Sequence, residues 1–343
     1  MADSEINILG IETSCDETAA AVVADGRNIK SSVVASQDEL HEKFGGVVPE
    51  IASRAHIEKI YQVVAQAIEQ ADVTKDTIDA VAVANRPGLV VSLIVGVTTA
   101  KTLAFAWGKP LIAVNHVHAH LQSAMLAQDT LDLPAVALVV SGGHTSLYDC
   151  ESGLELALIG STIDDAAGEA FDKVAAILKL GYPGGPSIEK IAAQGNAKAI
   201  EFPRSMLGAD SLDFSFSGIK TAVLYYCRGQ DMKGENRVEA MGDDEKADIA
   251  ASFQAAVVDV LVAKTKRAAD KIKAKTVLLG GGVAANSLLR KALTQMCEET
   301  KRGLLVAPKP LCTDNAVMVA SLGYHKFKAG LFANLALEAI ATS

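Results

Sequence analysis

Hydrophobic and polar positions along the chain predict two similar runs of strands and helices. The first run combines short apolar segments, typical of strands, with longer stretches in which apolar residues recur at helical spacing. Its predicted elements are strands at 6–11, 19–24, 29–35, 78–84 and 111–114 and helices at 49–71 and 89–107. Asp25-Gly26, between the second and third strands, is typical of a tight hairpin turn.

The second half of the chain repeats the opening of the first. Three strands come first again, and helices then alternate with two more strands. The predicted elements are strands at 136–140, 146–150, 154–159, 276–279 and 304–307, helices at 166–178, 186–194, 243–273, from about 284 and from 315, and a polar loop at 229–239. Two such halves indicate an α/β protein with a mixed sheet in each of two lobes and a cleft between them. We expect lobes at 1–115 and 116–343, and the last helix could pack back on the N-terminal lobe.

Composition supports a large soluble protein. A chain of 343 residues with half of them apolar can bury a sizeable core, and its length suggests two domains. The formal net charge of −9 argues against a protein that grips nucleic acid unaided by long-range attraction, although a local basic groove or a basic partner would supply the missing charge.

Cysteine usage and the absence of targeting signals favour the cytoplasm. Five cysteines without C-x-x-C spacing make a disulfide framework or a zinc ribbon improbable. The first ten residues have no basic or apolar region of a signal peptide. The most membrane-like stretch, 87–100, is bounded by Arg86 and Lys101 and is too short to span a bilayer. We therefore expect no membrane association.

Two histidines and a distant aspartate form a candidate metal site. His116 and His120 are four residues apart, which places both imidazoles on one face of a helix, whereas His118 would point elsewhere. Asp314 could complete a set of two histidines and one carboxylate, but taken alone its position before a helix favours an N-cap role. Val117 stands where the H-E-x-x-H pattern of zinc proteases has its general base, so that chemistry is disfavoured.

Two glycine-rich turns, at 139–145 and 280–286, directly follow predicted strands. Glycines let the backbone approach a phosphate, and a helix N-terminus adds positive potential. One such cluster would indicate an ordinary tight turn, but two clusters in matching positions of two halves favour nucleotide binding. Neither turn has the Walker or Rossmann pattern.

Several carboxylates are candidates for a role in binding or catalysis. Asp165, Glu169 and Asp172 fall on one helical face, which is usually just solvated, yet Asp172 could hold a ribose diol if that face lines a cleft. Asp16 and Glu17 follow the first strand, where they could orient a nucleophile or simply cap the turn.

Ten short segments, taken in chain order, form one specific pattern. They are GIETSCDET (10–18), GGVVPE (45–50), ASR (52–54), HVHAH (116–120), VSGGHT (140–145), DDAAGEAFDK (164–173), YPGGP (182–186), FSFSG (214–218), GGVAAN (281–286) and CTDN (312–315). The pattern resembles the TsaD family of tRNA N6-adenosine threonylcarbamoyltransferases, once misnamed O-sialoglycoprotein endopeptidases. The resemblance implies the actin/Hsp70/sugar-kinase fold with duplicated RNase H-like lobes. It also implies transfer of threonylcarbamoyl from threonylcarbamoyl-AMP to N6 of the adenosine 3′ of the anticodon, in tRNAs that read ANN codons.

The resemblance also assigns roles by matching position. His116, His120 and Asp314 would bind one divalent metal, usually given as iron(II), with zinc also reported. Asp16 and Glu17 match residues implicated in activity. The acyl and phosphate end of the adenylate would contact the end of the predicted strand 136–140 and the turn that follows it. Its ribose and base would contact four further residues. These residues are Val139, Val140, Ser141, Gly142 and Gly143 for the first group and Asp172, Gly185, Glu189 and Asn286 for the second. Glu189 stands where many members have aspartate. TsaB-like and TsaE-like subunits would be partners.

The chain departs from the family pattern in two places. Members usually have Gly-Pro-Gly where this chain has Arg86-Pro87-Gly88, so either that turn differs or Arg86 supplies positive charge, for instance to a tRNA phosphate. The end of the chain, 335–343, lacks the Arg-Pro ending common in bacterial members.

Two rival functions are compatible with the same elements. A sugar or acetate kinase of this fold would need an aspartate base facing a γ-phosphate with Mg²⁺, and nothing in that reaction requires His116 or His120. An actin-like nucleotide switch would bind a metal only incidentally. AMP release from threonylcarbamoyl-AMP, compared with ADP release from ATP, distinguishes the transferase from the kinase.

Overall fold

A computed structural model describes residues 5–126, 128, 131–206, 208, 210–229 and 237–342. In chain order its strands are β1 (Asn7–Glu12), β2 (Thr18–Ala24), β3 (Asn28–Ala35), β4 (Ala80–Arg86), β5 (Leu111–Asn115), β6 (Ala135–Val140), β7 (Thr145–Cys150), β8 (Leu156–Ser161), β9 (Thr276–Gly280) and β10 (Gly303–Val306). Its α-helices are α1 (Asp38–Glu42), α2 (Pro49–Gln70), α3 (Val90–Trp107), α4 (His116–Met125), α5 (Ala167–Leu178), α6 (Gly184–Ala192), α7 (Ser217–Arg228), α8 (Asp243–Ile272), α9 (Ser287–Glu299) and α10 (Ala316–Lys328).

The two sheets have the same topology, which confirms the predicted duplication. The first has the order β3-β2-β1-β4-β5, and the second has β8-β7-β6-β9-β10. In each, the first three strands of the half are antiparallel neighbours, and the later strands add in parallel to the first strand. The carboxyl ends of the three parallel strands therefore lie along one edge of each sheet.

Chain contacts divide the protein into two compact units, which differ in their bounds from the predicted lobes. The first unit comprises Met1–Ala127 and Pro310–Ser343, and the second comprises Gln128–Lys309. α4 and α10 belong to the first unit because they pack on each other and on its sheet, α10 mainly on β1. The sequence expectation had assigned α4 to the second lobe.

Both faces of the first sheet are buried, which explains why β1, β2 and β4 are nearly continuous apolar runs. Leu9 and Ile11 face a core cluster with residues of α2 and α3. The alternate residue Gly10 faces α10, and a Cβ at this glycine would clash with the helix backbone at Ala316 and Ala320. The glycine thus allows α10 to pack closely on β1.

Local signals account for several turns and fail at others. Asp25 and Gly26 have positive φ values of 49° and 73°, as the predicted hairpin turn requires. The sequence analysis missed the short helix α1, and α7 begins at Ser217, inside the matched segment 214–218. Residues 230–236 of the predicted loop lie outside the described part of the chain, and Arg237–Glu239 forms a 3₁₀-helix.

Within the described residues, one helix has the length and hydropathy to cross a membrane. α3 has 18 residues, as the predicted helix at 89–107 indicated, so it is longer than the membrane-like stretch 87–100 considered too short to span, and a third of this window is buried. Its buried side, which includes Val97, Ala100 and Ala104, packs in the apolar core of the first unit. This packing is typical of a core helix.

Candidate active site

The first unit brings together the three residues predicted to bind a metal. β5 ends at Asn115, whose side chain caps α4 by accepting from two backbone N–H groups, so α4 begins at His116. One turn of this helix places the rings of His116 and His120 4.7 Å apart. Asp314 Oδ1 lies 3.5 Å from His116 Nε2 and 3.1 Å from His120 Nε2. All three potential ligand atoms lie within 4.8 Å of one another.

Asp314 faces the histidines because its neighbour performs the capping role. Asn315 Oδ1 accepts a hydrogen bond from the Met318 N–H at 3.0 Å, which makes Asn315 the N-cap of α10. The N-cap role considered for Asp314 is therefore wrong. The same local geometry that begins α10 at Ala316 turns the preceding carboxylate toward α4.

The surroundings of His120 fit a metal better than a hydrogen-bond network. The ring is completely buried, and neither of its nitrogens makes a hydrogen bond with a described residue, although Nε2 lies near Asp314. A buried polar group without a partner costs about 1–3 kcal/mol. Two imidazoles and one carboxylate are a donor set suited to a divalent transition metal. A metal ligated by Nε2 would remove this cost at one nitrogen.

Glu12 fixes the orientation of His116. Its Oε2 lies 2.9 Å from His116 Nδ1, and its Oε1 accepts from the Ser14 N–H at 2.6 Å. Since Nδ1 donates to this carboxylate, Nε2 is left to face Asp314 and His120. Although burial lowers the pKa of His116, the charges of Asp314 and Glu12 raise it to about 9. The sequence analysis missed Glu12, although this acid lies at the carboxyl end of β1 within the matched segment 10–18.

The turn after β1 adds further carboxylates beside the triad. Carboxylate oxygens of Asp16 and Glu17, in this turn, and of Asp38, in the first turn of α1, lie within 4.8 Å of one another. Burial raises the pKa of Glu17 well above its usual value, and the charges of Asp314 and Asp16 raise it further. Burial, followed by the charge of Asp16, likewise raises the pKa of the Cys15 thiol.

A buried histidine network supports this turn. His56 is completely buried on α2, and its Nε2 lies 3.0 Å from the Cys15 carbonyl, to which it donates. Its Nδ1 therefore accepts from the Thr18 hydroxyl at 2.8 Å. The conformation of the Asp16–Glu17 pair thus depends on a residue from α2, which the sequence analysis did not identify.

His118 is separate from the triad, as its position on the helical wheel predicted. It is half-buried on α4 and is not part of the cluster formed by the other two histidines and Asp314. Burial, together with the positive charges of Lys326 and Arg86, lowers the pKa of His118 to about 4. This imidazole is therefore neutral near pH 7.

The two glycine-rich turns lie side by side in the second unit. The sequence analysis expected the two turns in matching positions of the two halves, and this expectation was wrong. The turns follow β6 and β9, which are parallel neighbours in the second unit. Gly281 has φ of 92°, and a Cβ at this position would clash with the Val140 carbonyl. In the first turn, Gly142 and Gly143 are exposed, and a Cβ on either would meet nothing within 4 Å. This open backbone can accept an approaching ligand.

The remaining predicted substrate residues surround these turns. Asp172 on α5 accepts from the Gly184 N–H at 2.8 Å through Oδ1, which ties α5 to the start of α6. Glu189 on α6 accepts from the Ser287 N–H at 2.8 Å through Oε1. Gly185 lies in the first turn of α6 with open space where a Cβ would be.

Asn286 joins the second turn to the core of its unit. Its Oδ1 caps α9 by accepting from the Leu289 N–H at 3.0 Å, and its Nδ2 donates to Gln254 Oε1 at 2.7 Å. Gln254 was missed by the sequence analysis because nothing in the pattern of α8 distinguishes it from other polar positions. Val139 and Val140 are completely buried at the end of β6, so only their backbone can face a ligand.

Asp164 accounts for another matched segment. It accepts hydrogen bonds from the hydroxyls of Ser215 and Ser217 at 2.6 and 2.9 Å and from the backbone N–H of Phe216 at 2.8 Å. The segment 214–218 is thereby attached to the loop before α5.

Comparisons with known proteins identify the family. A family model described as TsaD, tRNA N6-adenosine threonylcarbamoyltransferase, matches residues 28–321. A protein of that name from Moorella thermoacetica is 52% identical over 337 residues, which cover 98% of this chain and 96% of the relative. Relatives of the same name from Clostridium botulinum strain Kyoto and Rhodopirellula baltica are 51% and 50% identical, with 98% and 96% of this chain covered and 96% and 95% of the relatives.

Solved structures with low sequence identity share the fold. HypF in its phosphate- and nucleotide-bound form superposes with a TM-score of 0.60 at 14% identity, over 96% of this chain and 47% of that one. The activator of 2-hydroxyisocaproyl-CoA dehydratase from Clostridium difficile gives a TM-score of 0.54 at 13% identity, over 95% and 97% of the two chains. Together with the duplicated sheets, these likenesses establish the actin/Hsp70/sugar-kinase fold class. By sequence, the chain belongs to the TsaD family of tRNA N6-adenosine threonylcarbamoyltransferases.

Proposed function

We propose that this protein transfers the threonylcarbamoyl group from threonylcarbamoyl-AMP to N6 of the adenosine 3′ of the anticodon, in tRNAs that read ANN codons. Family membership supports the reaction class. The observation that carries the proposal is the convergence of His116, His120 and Asp314, because it distinguishes this chain from a kinase of the same fold. Such a kinase has no requirement for two histidines at one site.

The three converging residues are the proposed ligands of one divalent metal, Fe²⁺ in the first instance and Zn²⁺ as the alternative. When bound, the metal would supply Lewis acidity toward the carbonyl of the carbamoyl–phosphate group. Glu12 would hold His116 with Nε2 toward the metal, as carboxylates do for many metal-binding histidines. Asp314 supplies negative charge to balance that of the ion.

The glycine turn after β6 would stabilise negative charge on the leaving phosphate. The Ser141 N–H already donates to the His144 carbonyl at 2.8 Å, so it is committed within the turn. The amides of Gly142 and Gly143 donate to no backbone carbonyl among the described turns. We therefore assign phosphate binding to the two glycine amides, with Val139 and Val140 holding the turn in place.

Ribose and base binding would use the residues around the second turn. Oε2 of Glu189 remains as an acceptor, since only Oε1 takes the Ser287 N–H. Asn286 keeps one amide N–H after its bond to Gln254. Asp172 and Gly185 complete the proposed set at the start of α6. In this assignment Glu189, with its longer side chain, performs the role that aspartate has in many members.

Asp16 and Glu17 would manage the proton that the adenosine amine loses on acylation. A carboxyl group whose pKa is raised toward neutrality can accept and release a proton in the working range of an enzyme. Burial and the neighbouring acids shift Glu17 in that direction. Asp16, its neighbour in the same turn, would share the charge.

We further propose that tRNA binding and turnover involve TsaB-like and TsaE-like subunits in the cytoplasm. An exposed apolar surface on two adjoining helices supports a protein partner. Ile57 and Tyr61 on α2 are 65% and 81% exposed, and Ile94 and Phe105 on α3 are 48% and 75% exposed. Since α2 and α3 pack on each other, these side chains offer a helical face that a TsaB-like partner could cover.

The test is a reconstituted transfer reaction with threonylcarbamoyl-AMP, unmodified tRNA and the partner subunits, analysed as nucleosides by mass spectrometry. His116→Ala should abolish transfer, whereas the matched control His118→Ala, on the same helix but outside the triad, should retain it. AMP should be released in this reaction, and the chain incubated alone with ATP should yield no stoichiometric ADP. Undiminished transfer by the His116 variant, or transfer equally reduced by the His118 variant, would contradict the assignment.

A further inference from the structure

Two positively charged side chains lie close together in the first unit, near the start of α4. β4 ends at Arg86, whose Cα is paired with that of Asn115 at the end of β5. Lys326 on α10 donates from Nζ to the Ala113 carbonyl at 2.7 Å, two residues earlier on β5. Asn115 directly precedes His116, so both cations lie at the edge of the sheet where α4 begins.

Neither cation is neutralised by a carboxylate of the described residues. Arg86 is exposed and Lys326 is half-buried, and the ion pairs found in the described part of the chain include neither. Burial and then the charge of Arg86 lower the pKa of Lys326, which shows that the two positive charges repel each other. Two positive charges held close together with no acid beside them repel each other, and an anion that binds both relieves this repulsion.

The turn at Arg86 imposes no special backbone demand that would explain the residue. Arg86 is not among the residues with positive φ, so the backbone would accommodate other side chains at this position. The guanidinium group presents several N–H donors in a planar fork that matches a phosphate, and the ammonium group adds a point charge.

We propose that Arg86 and Lys326 together bind a phosphate group of the tRNA backbone at the end of the first sheet where α4 begins. This inference rests on the proposed function, since it concerns the tRNA substrate of that same site. The adenylate also carries a phosphate, but that phosphate is already assigned to the Gly142 and Gly143 amides, so a further phosphate site is assigned to the tRNA. The exposed guanidinium group can contact a macromolecular polyanion. A local pair of cations would allow a protein of net negative charge to bind RNA at this position.

Salt dependence of tRNA affinity tests the proposal. Each phosphate contact made by a cation contributes about 0.7–0.9 to the slope of log affinity against log salt concentration. The full chain with its partner subunits would be titrated with an unmodified tRNA transcript at about 50 and about 200 mM KCl. Replacing both cations, as Arg86→Gln with Lys326→Met, should lower the slope by about 1.6. The ratio of wild-type to variant affinity for tRNA should then be about tenfold smaller at about 200 mM KCl than at about 50 mM KCl.

Charge-preserving variants and a distant control separate this effect from misfolding. Arg86→Lys with Lys326→Arg should keep the wild-type slope, and Lys75→Ala, before the opposite end of β4, should not change it. Arg86→Gln alone removes a side chain without a described hydrogen bond, so it should halve the effect in a folded protein.

An unchanged slope in the double variant overturns the proposal. A fall in affinity for AMP with unaltered affinity for tRNA would also overturn the proposal, because the two cations would then bind the phosphate of the adenylate. The proposed function is judged separately by the wild type, because failure to form threonylcarbamoyladenosine would refute the reaction while leaving the salt slopes interpretable.

Discussion

Raising the pH should tighten metal binding by this protein while it destabilises the metal-free form. Both effects arise from His116, whose pKa is about 9 because Asp314 and Glu12 outweigh the effect of burial. A metal can bind the imidazole only after its proton has left. At pH 7 nearly every metal-free molecule carries that proton, so binding must displace it.

The structure sets the size of each effect. Below pH 9, affinity should rise about tenfold per pH unit, since one proton is exchanged for one metal ion. In the metal-free protein, the folded-state pKa lies above the value of about 6.5 expected for an unfolded histidine. The protonated imidazole therefore stabilises the fold fully below about pH 6.5, and this stabilisation is lost as the pH rises through about 9. A shift of this size corresponds to roughly 3 kcal/mol.

Zinc titrations against a chromophoric chelator between pH 6.5 and 9 measure the first effect. Calorimetry in two buffers of different ionisation enthalpy should count about one proton released per metal bound. Urea unfolding of the chelator-treated protein over the same range measures the second effect. The variant His116→Gln should remove both dependences. An affinity that does not change with pH in the wild type would refute the reasoning, because His116 would then be neutral before the metal arrives.

Three further substitutions probe other parts of the structure. Glu12→Gln should weaken zinc binding by about 10–100-fold in the same competition assay at pH 9, where the His116 proton competes least, because the carboxylate that orients the ligand becomes a neutral amide; an unchanged affinity at this pH would deny it that role. Gly281→Ala should lower the free energy of unfolding by at least about 2 kcal/mol, owing to its φ of 92° and the backbone beside it. Gly282→Ala, with open space at its Cβ, is the matched control, and equal losses in urea unfolding would contradict the argument. Tyr61→Arg should weaken association with a TsaB-like partner by at least about tenfold in a binding titration, whereas Lys75→Ala should not, since exposed aromatic residues dominate such interfaces.

Sequence periodicity predicted most of the fold because strands, helices and the Asp25-Gly26 turn are determined by neighbouring residues. The pairing of strands is not determined in this way. The order β1-β4-β5 brings Glu12 to His116 across 104 positions of the chain, and no local pattern contains that distance. The same reason explains the division into units, since α10 joins the first unit through packing on β1 and α4.

The metal site illustrates how far residue types can be interpreted without coordinates. The spacing of His116 and His120 correctly predicted one helical face, and it excluded His118. Asp314 was ambiguous between a cap and a ligand because both roles place an acid before a helix. Which of two adjacent polar residues becomes the cap depends on the exact start of α10, and the structure gives that role to Asn315.

Electrostatics around the triad provide a reason for these residues to occur together. His116, Glu17 and Cys15 have pKa values shifted upward, so each group is driven toward its protonated form. Burial contributes for the acid and the thiol, and the nearby charge of Asp314 acts on all three. A site that binds extra protons when empty of other cations has an excess of negative charge for its degree of burial. One divalent ion neutralises this excess negative charge. The histidine nitrogens also supply it with ligand atoms that protonation of the carboxyl and thiol groups would leave unused. The buried carboxylates around the triad would repel one another without a cation. This repulsion is what favours the binding of a divalent metal here.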